Sequence, residues 1–144
     1  MAILVTGGAG YIGSHTCVEL LNSGYDVVVM DNLYNASEKA LERVEQITGK
    51  KLTFYNVDML DKDAMNAIFE KESIDSVIHF AGYKAVGESV QKPLEYYHNN
   101  ITGTLKLCDV MRHHGVKKLI FSSSATVYGD PAFVPITEEC PKGK

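Results

Sequence analysis

Residues 5–13 read Val-Thr-Gly-Gly-Ala-Gly-Tyr-Ile-Gly and follow directly on an apolar opening, Ala2-Ile3-Leu4. The glycines at 7, 10 and 13 fit G-x-x-G-x-x-G, and those at 8, 10 and 13 fit G-x-G-x-x-G. This spacing, between an apolar run and a helical pattern, predicts a buried strand that turns sharply into a helix. Bare backbone N–H groups at the start of such a helix suit phosphate, so the segment indicates a dinucleotide site.

The composition is that of an ordinary globular domain: 144 residues, 45% hydrophobic and 22% charged. A formal net charge of −4 argues against a nucleic-acid partner, because phosphate backbones bind basic faces. Neither a secretory leader nor a long apolar run is found, so we expect a cytoplasmic protein without a membrane partner. Cys17, Cys108 and Cys140 lack metal-ligand spacing, which predicts reduced thiols and no metal site.

Apolar runs alternate with helical patterns along the whole chain. Strands are predicted at 2–6, 26–31, 51–57, 75–80 and 117–122, with helices between them, the last two at about 86–98 and 100–114. Strict alternation with nearly continuous apolar strands implies a parallel sheet covered on both faces. The right-handed crossover rule then predicts an α/β fold with a doubly wound sheet.

Acidic residues end the second and third predicted strands. Asp31 lies about 20 residues beyond the central glycine, where a carboxylate accepts hydrogen bonds from the adenosine ribose. A carboxylate repels a 2′-phosphate, and no arginine stands beside Asp31, so the sequence favours NAD over NADP. Asp58 follows the third strand and is expected near the adenine, although acids at strand ends are common.

Small and hydroxyl residues follow the fourth and fifth strands. Phe80-Ala81-Gly82 would let the backbone pass close to a cofactor, and Lys84 could reach a ribose or a phosphate. Ser122, Ser123 and Ser124 either donate to a substrate oxygen or cap the strand end. His79, on a buried strand, is expected to be a hydrogen-bonded core histidine rather than a base.

Together these segments resemble the extended short-chain dehydrogenase/reductase family. They read T-G-G-A-G-Y-I-G at 6–13, D-N at 31–32, H-F-A-G at 79–82, N-N-I-T-G-T at 99–104 and S-S-S-A-T-V-Y-G at 122–129. Within that family, the stretch at 81–97 is similar to the nucleotide-sugar 4-epimerases. The resemblance implies a Rossmann-type NAD-binding domain over 1–144, incomplete at its C-terminal strands, with the sugar-binding domain absent.

The resemblance also implies an activity and assigns roles to matching positions. The activity would be that of an isomerase of galactose metabolism, in which NAD⁺ takes hydride from C4 of a UDP-sugar and returns it to the opposite face of the 4-keto sugar. Ser124 would hydrogen-bond the hydroxyl that is oxidised. The cofactor would be held by Gly7, Gly10, Tyr11, Ile12, Gly13, Asp31, Asn32, Asn35, Asp58, Met59, Phe80, Ala81, Gly82, Lys84, Asn99 and Ser122. Helices at about 86–114 would form a homodimer.

One feature departs from the family pattern. The family's base is the tyrosine of a Tyr-x-x-x-Lys pair, expected shortly after Ser124, and no such pair occurs between Ser124 and Lys144. Tyr128 comes too early, and Ala132 stands four residues beyond it. We therefore expect an N-terminal fragment that is inactive by itself.

Two other functions stay open. Nucleotide-sugar dehydratases and decarboxylases usually carry an acid before the V-Y-G, where this chain has Ala125 and Thr126. Since elimination needs a general acid, this difference favours epimerisation. A non-catalytic NAD-binding module is also consistent with the 144 residues. Whatever the function, the fifth strand is expected to present an unpaired edge, with poor solubility or reliance on a partner as the consequence.

Overall fold

The computed structural model describes residues 1–82 and 86–143. The strands are β1 (Ala2–Thr6), β2 (Asp26–Asp31), β3 (Thr53–Asn56), β4 (Ile74–His79) and β5 (Lys118–Phe121). The helices are α1 (Tyr11–Asn22), α2 (Glu38–Thr48), α3 (Lys62–Lys71), α4 (Val86–Gln91), α5 (Pro93–Tyr97) and α6 (Gly103–His113). A π-helical turn (His98–Thr102) joins α5 to α6, and a 3₁₀ turn (Ala125–Tyr128) follows β5.

All neighbouring strands pair in parallel, in the order β3-β2-β1-β4-β5. The predicted doubly wound α/β sheet is confirmed. From β1 the chain first builds outward through β2 and β3, and then returns to the other side of β1 to build β4 and β5. The reversal opens a crevice at the carboxyl ends of β1 and β4, which is where ligands bind in sheets of this kind.

The sheet buries one hydrophobic cluster on each face, as the alternation of side chains along a strand requires. On one face, residues from the strands pack against α3 and α6; members of this cluster include Leu4, Val28, Met30, Val77, Met65, Ile68, Leu107 and Val110. On the other face they pack against α1 and α2; members include Val5, Val27, Val29, Cys17, Leu21, Leu41 and Val44. Helices on both faces hold the strand ends, and therefore the crevice, in place.

The helix boundaries follow local chemistry. Ser37 caps α2, its hydroxyl accepting from the N–H of Lys39 at 3.3 Å, and Gly49 ends that helix with a φ of 67°. Asp61 caps α3 by accepting from the N–H of Ala64 at 3.1 Å. The helix predicted at about 86–98 is divided at Pro93, because a proline disfavours helical geometry in the residue before it.

Strand β5 lies at one edge of the sheet, so that within the described residues one of its sides has no neighbouring strand. This confirms the predicted unpaired edge. The side chains of Ile120 and Phe121 are 64% and 58% exposed. Consequences for solubility remain a prediction.

The three cysteines are free thiols, as predicted: Cys17 and Cys140 are buried, and Cys108 is exposed. Burial raises the pKa of the Cys17 thiol to about 12. Across the described part of the chain, no helix is both long and apolar enough to traverse a bilayer.

Candidate functional site

An open cleft of about 320 Å³ lies at the carboxyl ends of the strands. Its walls come from the glycine loop, the ends of β2, β3, β4 and β5, and the π-helical turn. The lining residues are Gly7, Gly10, Tyr11, Ile12, Gly13, Met30, Asp31, Asn32, Tyr34, Asn35, Val57, Met59, Phe80, Ala81, Gly82, Asn99 and Ser122. The structure thus brings most of the predicted cofactor residues together in one cleft.

Two glycines of the loop are required by the fold itself. Gly7 has a φ of 72°, donates its N–H to the carbonyl of Met30 at 2.8 Å, and would bring an added Cβ within 2.7 Å of the nitrogen of Ala81. At Gly13, a Cβ would collide with the carbonyl oxygen of Gly7 and lie 2.8 Å from the Cα of Gly8. Any side chain at either position would push α1 or β4 away from the loop.

Gly10 is less constrained by the fold than Gly7 or Gly13, since an added Cβ would make one tight contact rather than a collision. Its φ of −73° is ordinary, and the nearest atom to an added Cβ, the carbonyl oxygen of Gly7, lies at 3.3 Å. Gly10 also lines the cleft and precedes α1, whose first N–H groups have no intrahelical acceptor. The bare backbone therefore fits a bound phosphate group, which a methyl group at this position would crowd.

Asp31 joins the end of β2 to the glycine loop. Its side chain is 8% exposed, and its two carboxylate oxygens accept from the N–H of Ala9 at 3.1 Å and the N–H of Leu33 at 2.8 Å. Each oxygen keeps a further lone pair. Asp31 can therefore fix the loop and still accept hydrogen bonds from ribose hydroxyls in the cleft.

Asp58 does not line the cleft. Its carboxylate accepts from Asn32 Nδ2 at 2.9 Å and from the N–H of Leu60 at 2.8 Å. Its two neighbours in the sequence, Val57 and Met59, form part of the cleft wall. Asp58 instead holds Asn32, which also lines the cleft. Asp58 thus supports a residue of the cleft wall, and its placement near the adenine stays a prediction.

The ends of β4 and β5 close the opposite side of the cleft. The N–H of Phe80 donates to the carbonyl of Thr6 at 2.9 Å, and the N–H of Ser122 donates to the carbonyl of His79 at 3.1 Å. Ser124 is exposed and is not among the residues that line the cleft; its carbonyl accepts from the N–H of Val127 at 3.1 Å. Lys84 lies outside the described residues.

His79 is a buried, hydrogen-bonded core histidine, as predicted, with 1% of its surface exposed. Its Nε2 lies 3.0 Å from Thr104 Oγ1, which itself donates to the carbonyl of Asn100 at 2.6 Å. Thr104 must then accept from Nε2–H, and Nδ1 pairs with the hydroxyl of Thr6. The imidazole is thereby buried and hydrogen-bonded on both nitrogens between β1 and α6, so it is not placed to act as a base on a ligand in the cleft.

Asn99 reaches the cleft from the π-helical turn. Its side chain is 5% exposed, and its Nδ2 donates to Asn100 Oδ1 at 3.1 Å. Single π-helical turns interrupt α-helices frequently at functional sites, because the extra residue redirects a side chain. Here the turn separates α5 from α6 and places a buried amide in the wall of the cleft.

Sequence reasoning missed three residues of the wall: Met30, Tyr34 and Val57. Met30 immediately precedes Asp31 at the end of β2, and Val57 immediately follows β3, so topology alone could have indicated them. Tyr34 lies in the β2–α2 loop, where no periodicity applies, and no spacing rule could have found it.

Comparisons with known proteins agree with this geometry. The family model described as "NAD dependent epimerase/dehydratase family" matches residues 3–144. UDP-glucose 4-epimerase of Bacillus subtilis is 67% identical over 143 residues, which are 99% of this chain and 42% of that protein. The Mus musculus protein of the same name is 56% identical, over 98% of this chain and 42% of its own length.

A solved structure of UDP-glucose 4-epimerase from Bifidobacterium longum, in complex with NAD+ and UDP, matches with a TM-score of 0.93. Its sequence identity is 61%, over 99% of this chain and 43% of that one. The chain spans about two fifths of the length of these relatives. Because the family model covers nearly every residue, the chain belongs to the NAD dependent epimerase/dehydratase family.

Proposed function

We propose that this chain is the dinucleotide-binding part of a UDP-glucose 4-epimerase, a cytoplasmic, NAD-dependent isomerase of galactose metabolism. One observation carries the proposal. The cleft that joins Gly10, Asp31 and Asn99 lies in a fold that matches, at a TM-score of 0.93, an epimerase solved with NAD+ and UDP. The relatives of high identity bear the same enzyme name, which favours epimerisation over dehydration or decarboxylation.

Different residues along the cleft would bind different parts of the dinucleotide. The N–H groups at the start of α1 would bind the pyrophosphate, with Gly10 giving close access. Asp31 would accept from the adenosine ribose, and its charge would exclude a 2′-phosphate. The small residues 80–82 and the amide of Asn99 would hold the nicotinamide half.

When bound, NAD⁺ supplies the hydride acceptor and donor for the sugar carbon. The chain itself would position the reactants. The carboxyl edge of the sheet would hold the cofactor, and Ser124, on the loop after β5, would hydrogen-bond the reacting hydroxyl of a UDP-sugar. A Tyr-x-x-x-Lys pair is not found after Ser124 in these residues. We therefore expect residues 1–144 alone to bind NAD⁺ without turning over UDP-sugars.

An apolar stripe supports a second part of the proposal, a homodimer. Five exposed side chains recur at helical spacing from α4 to α6; they are Val90, Leu94, Tyr97, Ile101 and Leu105, with 52–78% of each exposed. Exposed apolar patches of this kind mark interaction surfaces, and a second copy of the chain would cover the stripe with the same face.

The activity is tested on the full-length gene product, with UDP-glucose or UDP-galactose as substrate and the nucleotide released on denaturation identified by mass spectrometry. Interconversion together with released NAD supports the proposal. Released NAD without turnover indicates a non-catalytic module, and loss of water or carbon dioxide from the sugar indicates a dehydratase or decarboxylase. Turnover by residues 1–144 alone would contradict the expectation that these residues bind NAD⁺ without turning over UDP-sugars.

The dimer is tested by sedimentation of Leu94→Glu and Ile101→Glu variants. Both place a charge on the stripe and should shift the protein towards monomer. Ile47→Glu is the matched control, since Ile47 is 70% exposed on α2, away from the stripe. A dimer that resists both stripe variants would place the interface elsewhere.

A further inference from the structure

The carboxylate of Glu88 connects the cleft wall to the helices beyond it. One oxygen accepts from the hydroxyl of Tyr34 at 2.8 Å, and the other accepts from the hydroxyl of Tyr96 at 2.9 Å. Lys92 Nζ lies 3.4 Å from the first oxygen. Glu88 is on α4, Tyr96 is on α5, and Tyr34 is in the β2–α2 loop, so a single carboxylate ties three elements together.

The Tyr34 contact is the one with a bearing on ligand binding. Tyr34 lines the cleft two residues after Asn32, on the side where the adenosine half is expected. Its N–H donates to Asn32 Oδ1 at 3.0 Å, a local contact that fixes the backbone. Half of Tyr34 is exposed, and its hydroxyl lies against the Glu88 carboxylate and the Lys92 side chain, so these groups orient the ring.

Glu88 is built to hold that hydroxyl. Tyr96 is 9% exposed, so the second carboxylate oxygen is fixed against a nearly buried partner. Hydrogen bonds from Tyr34 and Tyr96 hold the pKa of the Glu88 carboxyl below its ordinary value, which keeps it ionised. Hydrogen bonds from a hydroxyl to a carboxylate are stronger than those between neutral groups.

We infer that Glu88 is a positioning residue for cofactor binding: it holds Tyr34 against the adenosine end of the cleft and so sets the affinity for that half of the dinucleotide. This inference rests on the proposed function. Glu88 itself does not line the cleft. Its effect therefore passes through Tyr34, and removing either residue should have the same consequence.

The test is a double-mutant cycle on the nucleotide-free full-length protein, titrated by calorimetry with NAD⁺, ADP and nicotinamide mononucleotide. Glu88→Ala and Tyr34→Phe should each weaken NAD⁺ and ADP binding about fivefold, the effect of one net hydrogen bond. The double variant should bind no more weakly than either single one, and affinity for nicotinamide mononucleotide should not change. Glu88→Gln, which keeps a neutral acceptor, should fall between wild type and Glu88→Ala.

Two matched controls separate positioning from general damage. Glu95→Ala removes an exposed glutamate from the neighbouring helix α5, and Tyr25→Phe removes a half-exposed tyrosine hydroxyl outside the cleft. Both should bind all three nucleotides as the wild type does. Losses that multiply in the double variant, or that appear equally for nicotinamide mononucleotide, would overturn the inference.

The two proposals fail in different ways. A wild-type protein that binds neither NAD⁺ nor ADP contradicts the proposed function itself. A wild-type protein that binds both, with Glu88→Ala binding equally well, contradicts only the positioning role of Glu88.

Discussion

The glycine loop permits a sharp test, because its three spaced glycines are constrained by different things. Gly13→Ala places a Cβ onto the carbonyl oxygen of Gly7 and 2.8 Å from the Cα of Gly8. Both are backbone atoms, so no side-chain rotation relieves the contact. Overpacking costs about 1–3 kcal/mol, and the better helix propensity of alanine recovers about 1 kcal/mol. Because the contact is between backbone atoms and the new Cβ, the cost lies at the upper end of that range, and we expect a net loss of about 2 kcal/mol in the free energy of unfolding.

Gly10→Ala should behave in the opposite way. The φ of −73° suits alanine, and its Cβ would make one tight contact, at 3.3 Å, with the carbonyl oxygen of Gly7, so the free energy of unfolding should fall by less than at Gly13, about 1 kcal/mol or less. Its methyl group would crowd a bound phosphate, however, and we expect NAD⁺ affinity to fall about tenfold or more, about 1.4 kcal/mol. Stability and binding are thus separated at positions three residues apart.

The assays are urea unfolding followed by circular dichroism without nucleotide, and calorimetric titration with NAD⁺. Gly87→Ala is the control, since no atom lies within 4 Å of its added Cβ, and it should be neutral or stabilising by about 0.4–1 kcal/mol. Wild-type stability of Gly13→Ala would refute the packing argument. Wild-type NAD⁺ affinity of Gly10→Ala would refute the placement of the phosphate.

Three further outcomes are expected. Asp31→Asn removes the charge that repels a 2′-phosphate, so the ratio of NAD⁺ to NADP⁺ affinity should fall about tenfold or more in the same titration. Because burial raises the pKa of Cys17 to about 12, iodoacetamide near neutral pH should alkylate exposed Cys108 in the native protein and Cys17 only in urea, as peptide mass mapping would show. The folded-state pKa of Glu88 is lowered, so its contacts stabilise the fold near pH 7 and are lost as the pH falls through that pKa. The difference in the free energy of unfolding between wild type and Glu88→Ala should therefore shrink below the ordinary carboxyl pKa of about 4.3, as urea titrations at several pH values would show.

The doubly wound parallel sheet could be predicted from the sequence because the signals were redundant. Each strand is a short apolar run, each is bounded by turn residues, and crossover handedness leaves few ways to arrange them. Strand ends were less accurate: the third strand, predicted at 51–57, is Thr53–Asn56. It pairs with β2 only from Val28 to Asp31, although β2 begins at Asp26, and no apolar pattern marks where that pairing starts.

The side chains of the cleft could be predicted where topology fixes them and not elsewhere. Asp31 and Asp58 looked alike in sequence, each an acid at the end of a strand. In the structure Asp31 lines the cleft, whereas Asp58 turns to Asn32 Nδ2 and the N–H of Leu60. Strand periodicity places a residue at the edge, but the nearest unsatisfied N–H groups decide where its carboxylate points.

The glycine spacing was informative because it combines two independent demands. Gly7 and Gly13 are required by the fold. A Cβ at Gly7 would meet the backbone that follows β4, and a Cβ at Gly13 would meet the backbone of the loop itself. Gly10 is less constrained by the fold, since an added Cβ would make one tight contact, at 3.3 Å, with the carbonyl oxygen of Gly7. A chain that needed only the tight strand-to-helix turn would have less reason to leave the middle position bare. It is therefore the glycine with the least structural need that carries the strongest indication of a bound phosphate.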